Sequence, residues 1–375
     1  MVNYTSIIAT HQARIRCLLS KMFDKKFERF KNGAIIRLDI ESNPIREVNI
    51  SLVYEGDLGD DENNPSKKYY VNNDSNIGEQ QRYTGEKFRD MTYTDDENKL
   101  NIEINNNTYT FFLIRHGQGT HNPLKGRVKR VRQFKPGSLY KDPELTEIGK
   151  EQAKNTGKLK LMSNSNTDLK TNLKSANFFF CSDLIRTIQT IAYFLSELHE
   201  GENLNDKEII VLPCAHELTY KNKKNGKCDG TQRLNTNENL PSQMPDKINI
   251  QKNEFRINWK TYTNFYNHNK GRMATVRNPF RKRCSNTNFI KEAIEYIEKN
   301  KSEVKKSKSS GESEVKKSKS SGESEVKKSK LNGESKVKKS NSSGGKTLKK
   351  RNNKKKTKNN HKKKNLKHKN TIKIR

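Results

Sequence analysis

Short apolar blocks and amphipathic stretches alternate along the first three hundred residues. Runs with strand character lie at Tyr4 to Thr10 (YTSIIAT), Thr108 to Ile114 (TYTFFLI), Asn177 to Cys181 (NFFFC) and Glu208 to Leu212 (EIIVL). Each is short, rich in β-branched or aromatic residues, and free of internal Gly or Pro. The first and third pass quickly into helical spacing, with Ile15, Leu18, Leu19, Met22 and Phe23 after one, and Leu184, Ile188, Ile191 and Leu195 after the other. Phe289, Ala293, Ile294 and Ile297 predict a further helix from Asn288 to Lys299. Strands alternating with helices predict an α/β fold, a three-layer sandwich whose largely parallel central sheet is flanked by helices. From Glu41 to Asn107 the pattern is less regular. Glu47 to Tyr54 alternates like a strand, and Asp57 to Asn64 is an acidic, turn-rich loop. Leu100 to Ile104, the Asn105-Asn106-Asn107 turn and the strand from Thr108 predict a hairpin that sets an antiparallel strand beside the core one.

Beyond residue 300 the pattern changes kind. An 11-residue unit recurs as SEVKKSKSSGE from Ser302 and from Ser313, SEVKKSKLNGE from Ser324 and SKVKKSNSSGG from Ser335. A period of 11 suits a right-handed coiled coil, but these units hold too few apolar residues to bury a seam, so a disordered segment is expected. Residues 346–375 are mostly Lys and Asn. From Lys301 onward 28 Lys and Arg face 6 Glu, a net of +22 out of the chain's +33, so the overall basicity describes the tail more than the fold. Such a run is solvated and self-repelling; its functional alternative is a loose grip on nucleic acid or another polyanion through 301–375.

No apolar run approaches the roughly 18 residues of a membrane span, and the first 20 residues lack the regions of a signal peptide, which predicts an intracellular protein, cytoplasmic or nuclear. Cys17, Cys181, Cys214, Cys228 and Cys284 form an odd set without framework spacing, and free thiols are expected. A zinc set of Cys214, His216, Cys228 and Cys284 is set aside because no C-x-x-C pair is present.

Each strand candidate is followed within a few residues by a group able to handle phosphate: His11 after the first, Arg115 and His116 after the second, Ser182 and Arg186 after the third, His216 and Glu217 after the fourth. In open α/β sheets ligands bind beyond the carboxyl ends of the strands, so these side chains are expected to meet in one crevice.

The segment Arg115-His116-Gly117-Gln118-Gly119-Thr120-His121-Asn122 resembles the R-H-G-x-x-x-x-N signature of the histidine phosphatase, or phosphoglycerate mutase-like, superfamily. Leu145-Thr146-Glu147-Ile148-Gly149 with Gln152-Ala153 is similar to its L-T-x-x-G-x-x-Q-A helix start, and Ser182 to Thr190 (SDLIRTIQT) to its S-x-L-x-R-T-x-Q-T segment. The family's second histidine normally lies near the C-terminus, on a strand followed by an amphipathic helix. Here the fitting stretch is at the start, Ser6 to His11 and then Ile15 to Leu19 and Phe30 to Ile36, with Gln12 where the family usually has Gly. The helix at 288–299 is the one that ordinarily precedes that closing strand. The resemblance therefore implies a circularly permuted domain over 1–300, with 1–40 as closing strand and helix, 41–107 as connector and 108–300 as main core, followed by the repeats at 301–345 and the basic tail at 346–375.

The resemblance assigns His116 as the nucleophile that becomes phosphohistidine, Arg115, Asn122, Arg186 and His11 as the phosphate clamp, and Glu217 as the acid. No metal or other cofactor is implied. Asp229, in the Cys228-Asp229-Gly230 turn, is the alternative to Glu217, and His216 is a candidate contributor. His121 lines the site or faces solvent, and Lys125, Arg127, Lys129 and Arg130 extend the anion site or form a solvated loop. The expected activity is hydrolysis of a phosphomonoester. The alternatives are a mutase, which usually carries E-R-x-Y-G where this chain has His216-Glu217-Leu218-Thr219-Tyr220, or a catalytically weak fold that binds a polyanion through its tail. The substrate is left open.

Overall fold

The computed structural model describes residues 2–42, 46–57, 69–71, 86–95, 100, 107–120, 142–159, 167–205, 207–217, 244–273, 284 and 288–302. The chain divides into two units, Met1–Lys316 and Lys317–Arg375, and every described residue belongs to the first. The repeats from 303 on and the basic tail lie outside the described residues, as do Asn122, His121, Lys125, Arg127, Lys129, Arg130, Cys228 and Asp229.

The main sheet has nine strands. In chain order they are β1 (Asn3–Thr10), β2 (Ile35–Ser42), β3 (Arg46–Tyr54), β6 (Met91–Thr94), β7 (Thr108–Arg115), β8 (Phe178–Cys181), β9 (Glu208–Val211), β10 (Lys247–Ile250) and β11 (Asn253–Asn258). Two short strands, β4 (Tyr70–Val71) and β5 (Glu86–Lys87), form a separate pair. Across the sheet the order is β10-β11-β9-β8-β1-β7-β2-β3-β6. The helices are α1 (Gln12–Phe23), α2 (Glu147–Lys158), α3 (Thr167–Lys174), α4 (Ile185–Leu198), α5 (Lys260–Met273) and α6, over 288–302.

The α/β class and the four core strands agree with the sequence pattern; the expectation of a largely parallel sheet does not hold. β11, β9, β8, β1 and β7 run parallel, whereas β2, β3 and β6 on one side and β10 on the other join antiparallel, so the sheet is mixed. For the pairs β2–β3 and β10–β11 connection length is the cause. Residues 43–45 between β2 and β3, and Gln251-Lys252 between β10 and β11, are too short for the crossover that parallel neighbours require. Gln251, at φ 57°, takes the left-handed turn position. The hairpin expected from Leu100 to Ile104 falls largely outside the described residues. The antiparallel neighbour of β7 is instead β2, paired from Ile35↔Ile114 to Ile40↔Tyr109.

The central strands are apolar on both faces, which is why they read as continuous hydrophobic runs: β8 is buried throughout, and β7 from Tyr109 to Ile114. Isoleucines and leucines of α1, α4 and α6 fill the space beside them, including Ile15, Leu18, Ile188, Ile191, Leu195, Ile290, Ile294 and Ile297. Helices α2 and α4 approach closely because Gly157 has no side chain; a Cβ there would strike the Phe194 carbonyl.

Candidate active site

The register of the parallel strands gathers the site. Thr10 pairs with Arg115 and Ala9 with Cys181, so β1, β7 and β8 end at one level. His116 N donates to Thr10 O at 3.0 Å and Ser182 N to Ala9 O at 3.1 Å, which sets residues 11, 116 and 182 side by side. Leu212 N continues the ladder to Cys181 O, and the 3-10 turn Pro213–Ala215 then delivers His216 and Glu217. Residues distant in sequence thus become neighbours because parallel strands all point their carboxyl ends at one crevice.

His11 is the N-cap of α1, yet its side chain does not cap the helix and turns into the site. Its Nδ1 lies 2.8 Å from Glu217 Oε2 and its Nε2 2.8 Å from Ser182 Oγ. The His11 and His116 rings meet edge to face, 5.0 Å between centroids. Arg186, in the first turn of α4 and 2 % exposed, links all three groups: Nε donates to His116 Nε2 at 3.4 Å, and Nη2 reaches His11 Nδ1 at 3.4 Å and Glu217 Oε2 at 3.2 Å. Arg186 Nη1 is buried and has no acceptor among the described residues. Arg115, at the end of β7, donates to the Phe30 carbonyl, and its charge acts on His116. Of the expected residues His116, His11, Arg186 and Glu217 meet directly, with Arg115 at the edge; Asn122 and Asp229 fall outside the described residues.

His116 is 4 % exposed, and its Nδ1 lies 2.6 Å from the Gly117 carbonyl. A carbonyl only accepts, so Nδ1 carries the proton and Nε2 keeps its lone pair. Burial, then the charges of Arg186, His11 and Arg115, hold the His116 pKa well below the usual 6.5, with Glu217 opposing. Burial likewise lowers His11 to about 4 against the pull of Glu217. For Glu217 burial pushes the pKa up, but His11 and Arg186 outweigh it and hold the unliganded carboxyl well below its normal range.

The other motif residues brace the loop that carries His116. Thr146 caps α2, accepting from Gly149 N at 3.0 Å, and donates to Gln118 Oε1 at 2.8 Å. Gln152 Oε1 accepts from Gln118 N at 2.8 Å, and Thr190 Oγ1 from Gly117 N at 3.1 Å. Gly117 and Gly149 pack backbone to backbone; a Cβ on the first would strike the Gly149 carbonyl, and one on the second the Gln118 carbonyl. Each of these residues satisfies or makes room for the loop after His116.

Behind the site the structure corrects the sequence reading of the cysteines. Cys214 and Cys284 form a disulfide with Cα atoms 5.0 Å apart, Cys17 is also disulfide-bonded, and Cys181 is a buried free thiol. A separation of 70 residues gave no spacing signal. The cysteines therefore no longer argue for a reducing compartment, and neither sulfur of the pair is a thiolate donor for zinc. The donor atoms of His11, His116 and Glu217 lie within 4.8 Å of one another, close enough for a metal ion. The Arg186 guanidinium already contacts all three, so the cation built into this position is the arginine.

A polar cluster with two histidines, an arginine and a carboxylate is thus set at the carboxyl ends of parallel strands. Residues 111–243 match the family model of the histidine phosphatase superfamily (branch 1), so the similarity covers that segment of the chain. No curated protein and no solved structure matches the chain. Among the described residues no helix is long and apolar enough to cross a membrane.

Proposed function

We propose that this protein is a phosphatase that hydrolyses a phosphomonoester through a phosphohistidine on His116. The observation that carries the proposal is the pairing of a lone-pair-bearing Nε2 on His116 with the Arg186 guanidinium, 3.4 Å away, in a buried pocket. An uncharged imidazole beside a fixed cation is ready to attack a phosphoryl group whose equatorial oxygens that cation neutralises.

In the first step the N–P bond forms at His116 Nε2 as the ester P–O bond breaks, and the Glu217 proton passes to the departing oxygen. In the second, the Glu217 carboxylate takes a proton from water as the new O–P bond forms and the N–P bond breaks, returning His116 and inorganic phosphate. Glu217 is ionised while it holds Arg186 and His11. A phosphoryl dianion competes for both partners, which removes what lowers the carboxyl pKa and lets it bind the proton it must donate. Arg115, Arg186 and His11 clamp the phosphoryl oxygens, and Asn122 is assigned there by its place in the signature.

Hydrolysis is favoured over transfer to a second hydroxyl by the sequence His216-Glu217-Leu218-Thr219-Tyr220, which lacks the mutase-type segment. The permuted order is part of the same proposal. It is supported by β1, first in the chain, lying between β7 and β8 and supplying His11. The test is turnover of a generic phosphomonoester by the wild type and by His116→Ala: the wild type hydrolyses it and the variant does not. Equal turnover by both removes His116 from the mechanism.

A further inference from the structure

The turn that delivers Glu217 is tied down residue by residue through buried side chains. Cys214 N donates to Glu292 Oε2 at 2.9 Å. Thr10 Oγ1 donates to the Ala215 carbonyl at 3.0 Å, and Arg14 Nε to the His216 carbonyl at 2.7 Å. His216 Nδ1 lies 2.7 and 2.9 Å from Asp183 Oδ1 and Oδ2, and since a carboxylate only accepts, the nitrogen donates. The anchors come from four separate places: the last residue of β1, the first turn of α1, the link between β8 and α4, and α6. Thr10, Arg14, Asp183 and His216 are each 0 % exposed.

Burying ionised groups is costly even when each is paired, and apolar packing of the same volume is often as stable. Arg14 and Asp183 are therefore poorly explained by stability alone. What they share is the residue they hold: both bind His216, one at its carbonyl and one at its ring, immediately before Glu217.

The need for such anchors follows from the order of events at the acid. The Glu217 carboxyl is held by His11 Nδ1 at 2.8 Å and by Arg186 Nη2 at 3.2 Å. In the proposed reaction both of those groups turn to the phosphoryl oxygens, at the stage when the carboxyl has to reach the departing oxygen. From then on its place is set by the backbone that carries it, and that backbone is fixed by Thr10 at residue 215 and by Arg14 and Asp183 at residue 216. Misplacing a reacting group by about 1 Å can cost on the order of 10²-fold in rate. We propose that Thr10, Arg14 and Asp183 are positioning residues for Glu217, holding the acid at the leaving group once the substrate has taken its side-chain partners.

The inference rests on Glu217 being the acid, and its test separates the two. The kcat/KM of the full chain is measured on phenyl phosphate, whose phenolate needs a proton as it leaves, and on dinitrophenyl phosphate, whose anion leaves without one. This ratio reports the steps up to the phosphohistidine, so the later attack of water does not enter it. Glu217→Gln sets the scale, about 10²- to 10⁴-fold down on phenyl phosphate and far less on the dinitrophenyl ester. Asp183→Asn, Arg14→Met and Thr10→Val show the same selective loss, about 10- to 10²-fold on phenyl phosphate and within about twofold on the dinitrophenyl ester. Thr10→Ser, which keeps the hydroxyl, restores the wild-type preference. Thr10→Val keeps the branched shape that suits a buried strand, so the test stands even where the two charge-removing variants do not fold. A loss equal on both esters in Thr10→Val or Asp183→Asn, with Glu217→Gln still selective, gives these residues a merely structural role and overturns the proposal; unchanged turnover of phenyl phosphate does the same. Equal loss on both esters in Glu217→Gln itself overturns instead the assignment of the acid beneath it.

Discussion

The two halves of the sheet put similar amino acids to different uses. In the parallel block β7-β1-β8-β9, both faces are covered and every strand ends at a functional group: Arg115 and His116, His11, Ser182 and Arg186, and through a short turn Glu217. In the antiparallel wing β2-β3-β6, burial alternates along β3, and β6 alternates between half-buried and exposed positions. The wing's contribution to the site is indirect: Arg115 N donates to Ala34 O at the start of β2, and the Phe30 carbonyl holds the Arg115 guanidinium. Parallel strands aim all their carboxyl ends one way, whereas antiparallel strands alternate, so the side chains proposed as catalytic collect in the first block and the second is left to the core.

If that division is right, substitutions in the two regions should separate activity from stability. The largest effect is expected for His116→Ala, a loss of at least about 10⁴-fold in kcat, since no other group can form the intermediate. Next come Arg186→Ala and His11→Ala, each about 10²- to 10³-fold down in kcat while thermal unfolding shows both chains still folded, because each removes a preorganised donor to the phosphoryl charge. Normal kinetics in His11→Ala would detach β1 from the chemistry and end the permuted reading. In the wing the pattern inverts: Leu52→Ala in β3, a fully buried site, should cost about 2–4 kcal/mol in urea unfolding and leave kcat/KM of the folded protein unchanged. A wing variant that lost activity without losing stability would erase the contrast.

A smaller effect concerns pH. The folded pKa values of His11 and His116 lie below the unfolded value near 6.5, so between them the unfolded chain binds more protons and stability falls as pH falls. For His11 the window runs from about 6.5 down to about 4. Urea midpoints at pH 7 and pH 5 should differ in that direction, and less so in His11→Asn. The smallest effect is expected for removal of residues 303–375, which should leave small-substrate turnover and melting temperature nearly unchanged, as repeats with so few apolar residues add no core. A large drop on truncation would give the tail a structural role.

Much of this was legible in the chain. The strands β1, β7, β8 and β9 announced themselves because burial on both faces demands unbroken apolar runs, and the polar residues just after them are those the fold brings together. The hairpin β10–β11 passed unnoticed although Ile248, Ile250, Phe255 and Ile257 alternate on either side of Gln251-Lys252; its polar partners masked the signal. Mixed strand direction was hidden because apolar alternation says which face is buried and nothing about which way a neighbour runs. The Cys214–Cys284 disulfide and the Asp183–His216 pair are encounters across 70 and 33 residues that no local pattern encodes. Asp183 in particular reads as a helix-start acid until the fold brings His216 to it.

The most direct measurement is to trap the intermediate. Rapid mixing with a phosphomonoester labelled in its phosphoryl group, followed by alkaline quench and peptide mapping, should place an acid-labile, alkali-stable phosphate on His116. The label should be absent in His116→Ala. A phosphate found on another residue, or full turnover with no phosphoenzyme under these conditions, would contradict the account.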